Sequence, residues 1–233
     1  MRRAPSGLDT EKNVADKFDL LEIGGGSGGL AHAQRAAEYG AKAAVVEYGP
    51  LGGTCVNVGC VPKKVMWYAA HHAHQFHHAP DYGFDVNLVG HDWGALKLRR
   101  DAYIKRLNNI YANNLDKRGV THIEGGARFV DANTVDVNGR SYRAERIVVA
   151  TGGRPIVPEV PGAEMGITSD DFFELATRPR RVLRAGSGYV SVELAGVFNA
   201  LGSETRVVVR KEGVLRSFDK MLSGELTQAM RDS

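Results

Sequence analysis

The chain has 233 residues, 43% of them hydrophobic and 24% charged, with 28 glycines, a composition that argues against disorder and allows one large domain or two modest ones. Its net charge of +3 is spread along the sequence instead of forming one basic run, which does not imply nucleic acid and suits a small anionic ligand. No stretch approaches the roughly 20 continuous apolar residues of a membrane span. The opening MRRAPSGLDTEKNVADK lacks an apolar core after its arginines, so residues 1–17 read as an extension and not a signal peptide, with the cytoplasm as the expected compartment.

The stretch FDLLEIGGGSGGLAHAQRAAEYGAKAAVVE, from Phe18 to Glu47, predicts a strand, a glycine turn, a helix and a second strand. Gly24, Gly26 and Gly29 fit the G-x-G-x-x-G pattern: a tight turn, backbone approach to a pyrophosphate, and close helix–strand packing. Ala31, Ala33, Ala36 and Ala37 give a helix that can lie close to a sheet with its N-terminal N–H groups aimed at phosphate. Glu47 ends the second strand about twenty residues beyond the turn, where an acid can accept hydrogen bonds from a ribose. Glu22 is at odds with this pattern, because it puts a charge on a strand expected to be central and covered on both faces, which costs several kcal/mol by order of magnitude unless the charge is paired.

GGTCVNVGCVPKK, Gly52 to Lys64, holds both cysteines, Cys55 and Cys60. A metal site, a structural disulfide and a redox pair compete. Zinc needs two more Cys or His ligands at finger spacing, and none accompany them. On a regular helix the five-residue step is awkward for a relaxed disulfide, so a bridge would be strained or would need the backbone distorted at Gly59. Such a bridge is easily reduced, which suits catalysis better than stapling. Lys63, on the same face as Cys60 if the segment is helical, is placed to favour a thiolate or polarise a flavin ring, and Glu193 is its expected partner. Helices are expected around Lys63–His78 and Trp93–Leu115. In the first, His71, His74 and His78 share a face; with no Cys or acid joining them they read as a solvent-facing surface, and no metal is expected.

GARFVDANTVDVNGRSYRAERIVVATG alternates apolar and polar residues about a turn at Asn138 and Gly139, which predicts a small antiparallel meander feeding back into the sheet. RIVVATGGRP then runs as a buried-type strand into Thr151, Gly152 and Gly153.

RRVLRAGSGYVSVELAGVFNALGSETRVVVRKEGVLR repeats the plan around Gly186, Ser187 and Gly188, with Ser191 in the place of the third glycine. The acid that would bind a ribose 2′-hydroxyl is absent after the next strand; Arg210, Lys211 and Arg216 stand there, which favours a 2′-phosphate and hence NADPH. Arg184 raises the same difficulty as Glu22. After Arg216 one more helix is expected, fewer elements than a doubly wound domain needs, so the second domain is expected to be begun but truncated.

GGGSGG, GGTCVNVGCVPKKVMW, ATGGRP, GYVSVELAG and VLRSFD together resemble the glutathione reductases of the class I flavoprotein pyridine nucleotide-disulfide oxidoreductases, over nearly all of the chain from Phe18. The resemblance implies an α/β fold: an FAD-binding, doubly wound parallel sheet with its meander and redox-active cysteine helix over 18–157, and an incomplete NADPH-binding domain over 158–233. The rest of that domain, the central domain and the C-terminal dimerisation domain are expected to be absent.

The implied activity is reduction of glutathione disulfide by NADPH through FAD and a Cys55–Cys60 disulfide, in a homodimer, without nucleic acid or membrane. The chain alone is expected not to turn over. Tyr189 gates the nicotinamide, Cys60 faces the flavin, Cys55 attacks the substrate, and Lys63 and Glu193 support them. FAD contacts fall on Gly24, Gly26, Ser27, Gly28, Gly29, Glu47, Thr54, Cys55, Lys63, Ala127 and Thr151. NADPH contacts fall on Gly186, Ser187, Gly188, Val190, Glu193, Arg210 and Arg216. Ser27, Tyr103 and Tyr111 meet glutathione, while Ala31, Ile110 and Asn114 favour it over trypanothione. Gln34 replaces an arginine some members use for a substrate carboxylate. The alternatives are a trypanothione- or dihydrolipoamide-type reductase, or a catalytically silent nucleotide-binding module.

Overall fold

The computed structural model describes residues 16–232. Residues 1–15 of the expected extension lie outside the described residues, while Asp16 and Lys17 already belong to the first strand. The described residues divide into two compact units, 16–53 with 108–153 and 54–107 with 154–232.

In the first unit, β1 (Asp16–Ile23) pairs in parallel with β2 (Ala43–Glu47) on one side and with β6 (Arg140–Val149) on the other. β3 (Thr121–Glu124) adds to β2 in parallel, and β4 (Ala127–Asp131) and β5 (Thr134–Val137) complete the antiparallel meander with β6, for the order β3-β2-β1-β6-β5-β4. The meander turns where Asn138 and Gly139 both take positive φ, 54° and 83°, the signature of the tight hairpin turn that an Asn-Gly pair favours. α1 (Ser27–Glu38) joins β1 to β2.

Helix-face residues Leu30 and Ala33 of α1 pack with Leu20, Ala43, Val45 and Leu115 to form one apolar layer. On the other face of β1 and β2, Leu21, Ile23, Ala44 and Val46 pack with Val135, Val137 and Tyr142 of the meander. Alternate strand positions therefore serve two cores, which is why β1 and β2 read as nearly continuous apolar runs.

In the second unit, α2 (Gly53–Asn57), whose first residue lies in the first unit, is followed by α3 (Cys60–His78). The parallel pair β7 (Arg181–Ala185) and β8 (Glu204–Val208) is linked through α5 (Tyr189–Ala200), and α6 (Lys220–Asp232) follows. α4 (Trp93–Lys117) begins in this unit and ends in the first. The core of the second unit is aromatic: Trp93 stacks on Phe198 at 5.8 Å and meets Phe172 edge-on, while its indole N–H donates to the Leu175 carbonyl. Met66 and Ala70 of α3 and Leu194 and Val197 of α5 complete it.

The α/β architecture expected from the sequence is the one that forms, including both glycine-turn units and the meander. The two charged strand positions are resolved differently. Glu22 is fully buried on a central strand and is paired, by His32 of α1. Arg184 is not on a strand covered on both faces: β7 alternates exposed and half-buried residues, so the expected double burial does not occur there. Its Nε is nonetheless buried with no hydrogen-bond partner among the described residues, and burial lowers the guanidinium's affinity for its proton.

Candidate functional site

The first glycine turn is built by contact between backbones. A Cβ on Gly29 would lie 1.9 Å from the Gly24 carbonyl oxygen, so only glycine lets α1 close onto the end of β1. A Cβ on Gly28, by contrast, would meet nothing within 4 Å. The start of α1 is therefore open, no side chain caps it, and its first N–H groups have no partner within the helix. This is the geometry that receives a phosphate.

Glu47 is fixed at the end of β2, one carboxylate oxygen accepting the Gly25 N–H at 2.7 Å and the other the Gly49 N–H at 2.8 Å. A carboxylate accepts about four hydrogen bonds, so capacity remains for ribose hydroxyls. These residues fit the adenosine half of FAD. Gly53 belongs to the same construction although the sequence pattern did not single it out. Its Cβ would stand 2.7 Å from the Gly26 Cα, and the preceding Gly52 N–H donates to the Gly25 carbonyl. The glycine pair before Cys55 was its visible signal.

The cysteines lie on a broken helix. α2 ends at Asn57, Gly59 turns the chain with φ −148° and ψ −120°, and Cys60 opens α3. A side chain at Gly59 would press within 2.7 Å of the Thr54 carbonyl oxygen, so the break packs tightly on the turn that carries Cys55. The regular helix that would make the five-residue spacing awkward is absent. Both cysteines are thiols here, Cys55 half-buried and Cys60 exposed.

One turn along α3, the Lys63 ammonium donates to a Glu193 carboxylate oxygen at 2.8 Å, joining residues 130 positions apart. The expected pairing of these two residues is thus formed. Arg100 was missed by the sequence reading. Fully buried, it donates to the Phe173 carbonyl and to Asp101 and touches the Met66 sulfur of α3. Its signal was its place on the helix face of Trp93, Leu96 and Ile104.

At the second glycine turn, Gly186 takes φ +138°, and a Cβ on Gly188 would meet nothing within 4 Å. Ser191, which stands in the place of the third glycine, is buried. The Leu215 N–H donates to the Ser187 carbonyl at 2.7 Å, which draws the loop after β8 toward the turn. Arg210, Lys211 and Arg216 on this loop are exposed, and no acid stands at the end of β8. These residues fit a nucleotide bearing a 2′-phosphate.

Tyr189, the first residue of α5, is 60% exposed. Tyr103 and Tyr111 both lie on α4, the former 42% exposed and the latter packed on the α1 layer. Gln34 donates to the Leu30 carbonyl and accepts from Arg118. His71 stacks on Trp67 at 5.3 Å; among the described residues no group of three or more His, Cys, Asp or Glu could hold a metal ion. No helix among them is long and apolar enough to cross a membrane.

Residues 18–233 match the sequence profile of the family described as pyridine nucleotide-disulphide oxidoreductase. The chain is 51% identical over 224 residues to the glutathione reductase of Yarrowia lipolytica (strain CLIB 122 / E 150), covering 90% of this chain and 48% of that protein. It is 52% identical over 219 residues to the glutathione reductase of Schizosaccharomyces pombe (strain 972 / ATCC 24843), covering 90% of this chain and 47% of that one. The chain thus spans about half the length of the curated relatives it matches. With two open glycine turns, a cysteine pair on a broken helix and a match that runs from the first strand onward, the chain belongs to the pyridine nucleotide-disulphide oxidoreductase family, with FAD and NADPH as its cofactors.

Proposed function

We propose that the protein to which these residues belong reduces glutathione disulfide to two glutathione molecules with electrons from NADPH, through FAD and a Cys55–Cys60 disulfide. The observation that carries this reading is the break at Gly59, which starts a new helix at Cys60 five residues after Cys55, with Lys63 anchored one turn further on. Likeness to two glutathione reductases supports glutathione as the substrate.

Bound FAD supplies the two-electron step between nicotinamide and disulfide that no side chain can perform. The chain's own work is exchange chemistry. With both cysteines reduced, the Cys55 thiolate attacks one sulfur of glutathione disulfide, forming a mixed disulfide and expelling one glutathione thiolate, which takes up a proton. Cys60, as thiolate, then attacks the Cys55 sulfur, releasing the second glutathione and closing the Cys55–Cys60 bond, so that two thiols are oxidised as one disulfide is reduced. The order of the two cysteines rests on the family resemblance.

Lys63 holds a positive charge in a fixed place because Glu193 holds Lys63. In the first unit Gly24, Gly26, Ser27, Gly28, Gly29, Glu47, Ala127 and Thr151 would hold FAD. Gly186, Ser187, Gly188, Val190, Glu193, Arg210 and Arg216 would hold NADPH behind Tyr189. In the first unit Ser27 and Tyr111 would meet glutathione. A cytoplasmic homodimer completes the reading.

The test is Cys60→Ser in the protein loaded with FAD. It should keep the flavin and lose disulfide reduction; retained turnover would end the proposal. A colourless protein that binds nucleotide without redox change would instead indicate a silent module.

A further inference from the structure

Glu22 and His32 straddle the first glycine turn: Glu22 lies two residues before Gly24 on β1, and His32 lies three residues after Gly29 on α1. The Glu22 side chain has no exposure to solvent, whereas that of His32 is 54% exposed. One Glu22 oxygen lies 2.5 Å from His32 Nδ1, and the other is buried with no partner among the described residues. Such an arrangement is costly for a carboxylate. Its cross-strand neighbours are Val45 of β2 and Val148 of β6, and it shares its face of β1 with Leu20, all apolar.

Among the described residues, no other charge pairs with Glu22; on β3, His122 is the cross-strand neighbour of Val45, one strand beyond it. On α1, Arg35 pairs with Glu38. From the end of α4, Arg118 pairs with Glu38 and Gln34, and Tyr111 contributes packing to this layer. On β2, Glu47 is held by Gly25 and Gly49; on β1, Asp19 accepts from the Lys42 N–H; on β6, Arg146 is exposed and faces Glu145. Burial raises the Glu22 carboxyl's affinity for a proton above the ordinary glutamate value, and the His32 hydrogen bond and charge only partly offset it.

We propose that Glu22, held by His32, is a pH-sensitive brace across the glycine turn, holding β1 to α1 while the Glu22 carboxyl keeps its proton and loosening the FAD-binding turn when it is lost. Because the folded-state carboxyl binds its proton more tightly than the unfolded one, the stability it contributes is fully present below the ordinary glutamate value. That stability is lost as the pH rises through the raised folded value. With the proton gone, Glu22 is a buried carboxylate among apolar neighbours, with one oxygen lacking a partner among the described residues.

The experiment measures thermal unfolding of the protein from about pH 4 to about pH 8.5, by circular dichroism and without added flavin, for wild type, Glu22→Gln and the double variant Glu22→Val with His32→Ala. One proton can change the unfolded-to-folded ratio by at most about tenfold per pH unit. Wild type should therefore lose stability toward alkaline pH by up to that factor more than Glu22→Gln. The double variant, with only apolar groups at the site, should show the shallow slope and keeps the test open if the single variant fails to fold. Flavin fluorescence should show FAD released at a lower pH from wild type than from either variant. Parallel unfolding slopes in wild type and variants would overturn the proposal whether or not flavin binds.

Discussion

Replacing Gly29 with alanine should damage the first unit far more than replacing its neighbour Gly28. The added methyl at Gly29 would sit 1.9 Å from the Gly24 carbonyl oxygen, about 1.5 Å short of ordinary contact, and both sides of the clash are backbone. Relief requires α1 to move off β1, yet Leu30 and Ala33 on that helix are 2% and 0% exposed in the layer between them. Overpacking of this kind costs about 1–3 kcal/mol, and a rigid clash belongs at about 3 kcal/mol. For a unit of this size that is a fall in Tm of about 12–24 °C.

Alanine at Gly28 meets nothing within 4 Å and replaces glycine in a helix, a gain of up to about 1 kcal/mol. Its methyl, however, would occupy the open space at the helix start where phosphate is received. Circular dichroism melts and flavin fluorescence separate the two outcomes: Gly29→Ala should lose fold and flavin together, and Gly28→Ala should keep its Tm while releasing flavin more readily. A Gly29→Ala protein melting with wild type, or a Gly28→Ala protein falling as far as Gly29→Ala, would refute the reasoning.

Arg100→Met should cost about 3 kcal/mol in urea unfolding, because it strips the buried Phe173 carbonyl of its charged donor and leaves Asp101 with Lys97 alone. Burial raises the Asp101 carboxyl, but bonds and charges from Lys97 and Arg100 outweigh it and hold the group below its usual range. Its stabilising contribution is therefore present above the ordinary aspartate value and is lost as the pH falls through the lowered one; in Arg100→Met that acid limb should begin at higher pH. Glu193→Gln should shift the melt by no more than about 1 kcal/mol, the pair being partly exposed, while slowing NADPH-driven reduction of bound flavin in stopped-flow traces. Arg210→Ala with Arg216→Ala should raise the KM for NADPH at least about tenfold and leave that for NADH nearly unchanged. Equal effects on both nucleotides would remove the 2′-phosphate assignment.

The parts of this structure legible in the sequence are those whose spacing has a local cause. G-x-G-x-x-G between a strand and an alanine-rich helix leaves few backbone solutions, and Asn138-Gly139 between alternating strands names its turn. The pairing of Lys63 with Glu193 was legible from pattern alone, Glu193 standing on the helix of the second glycine turn, although nothing local links residues so far apart. The break at Gly59 was harder to see. The five-residue step between cysteines showed that a regular helix would be awkward, but the actual geometry depends on Gly59 packing against the Thr54 carbonyl.

Arg100 lay hidden in the charged run LRRDAYIKR, where Arg99 and Arg100 look alike until the apolar helix face of Trp93, Leu96 and Ile104 assigns one of them inward. Glu22 looked like an unpaired strand charge because its partner His32 lies across the turn, and pairing between a strand and the following helix has no fixed sequence spacing.

The central claim is that Cys55 and Cys60 exchange electrons with a disulfide substrate as a pair. Mixing the reduced protein with glutathione disulfide, blocking remaining thiols and weighing the peptide that carries both cysteines tests it most directly. A loss of two hydrogens from that peptide, with two glutathione thiols released per chain, is the predicted result. Two thiols still open to alkylation, or a lasting glutathione adduct with no bridge, would contradict it.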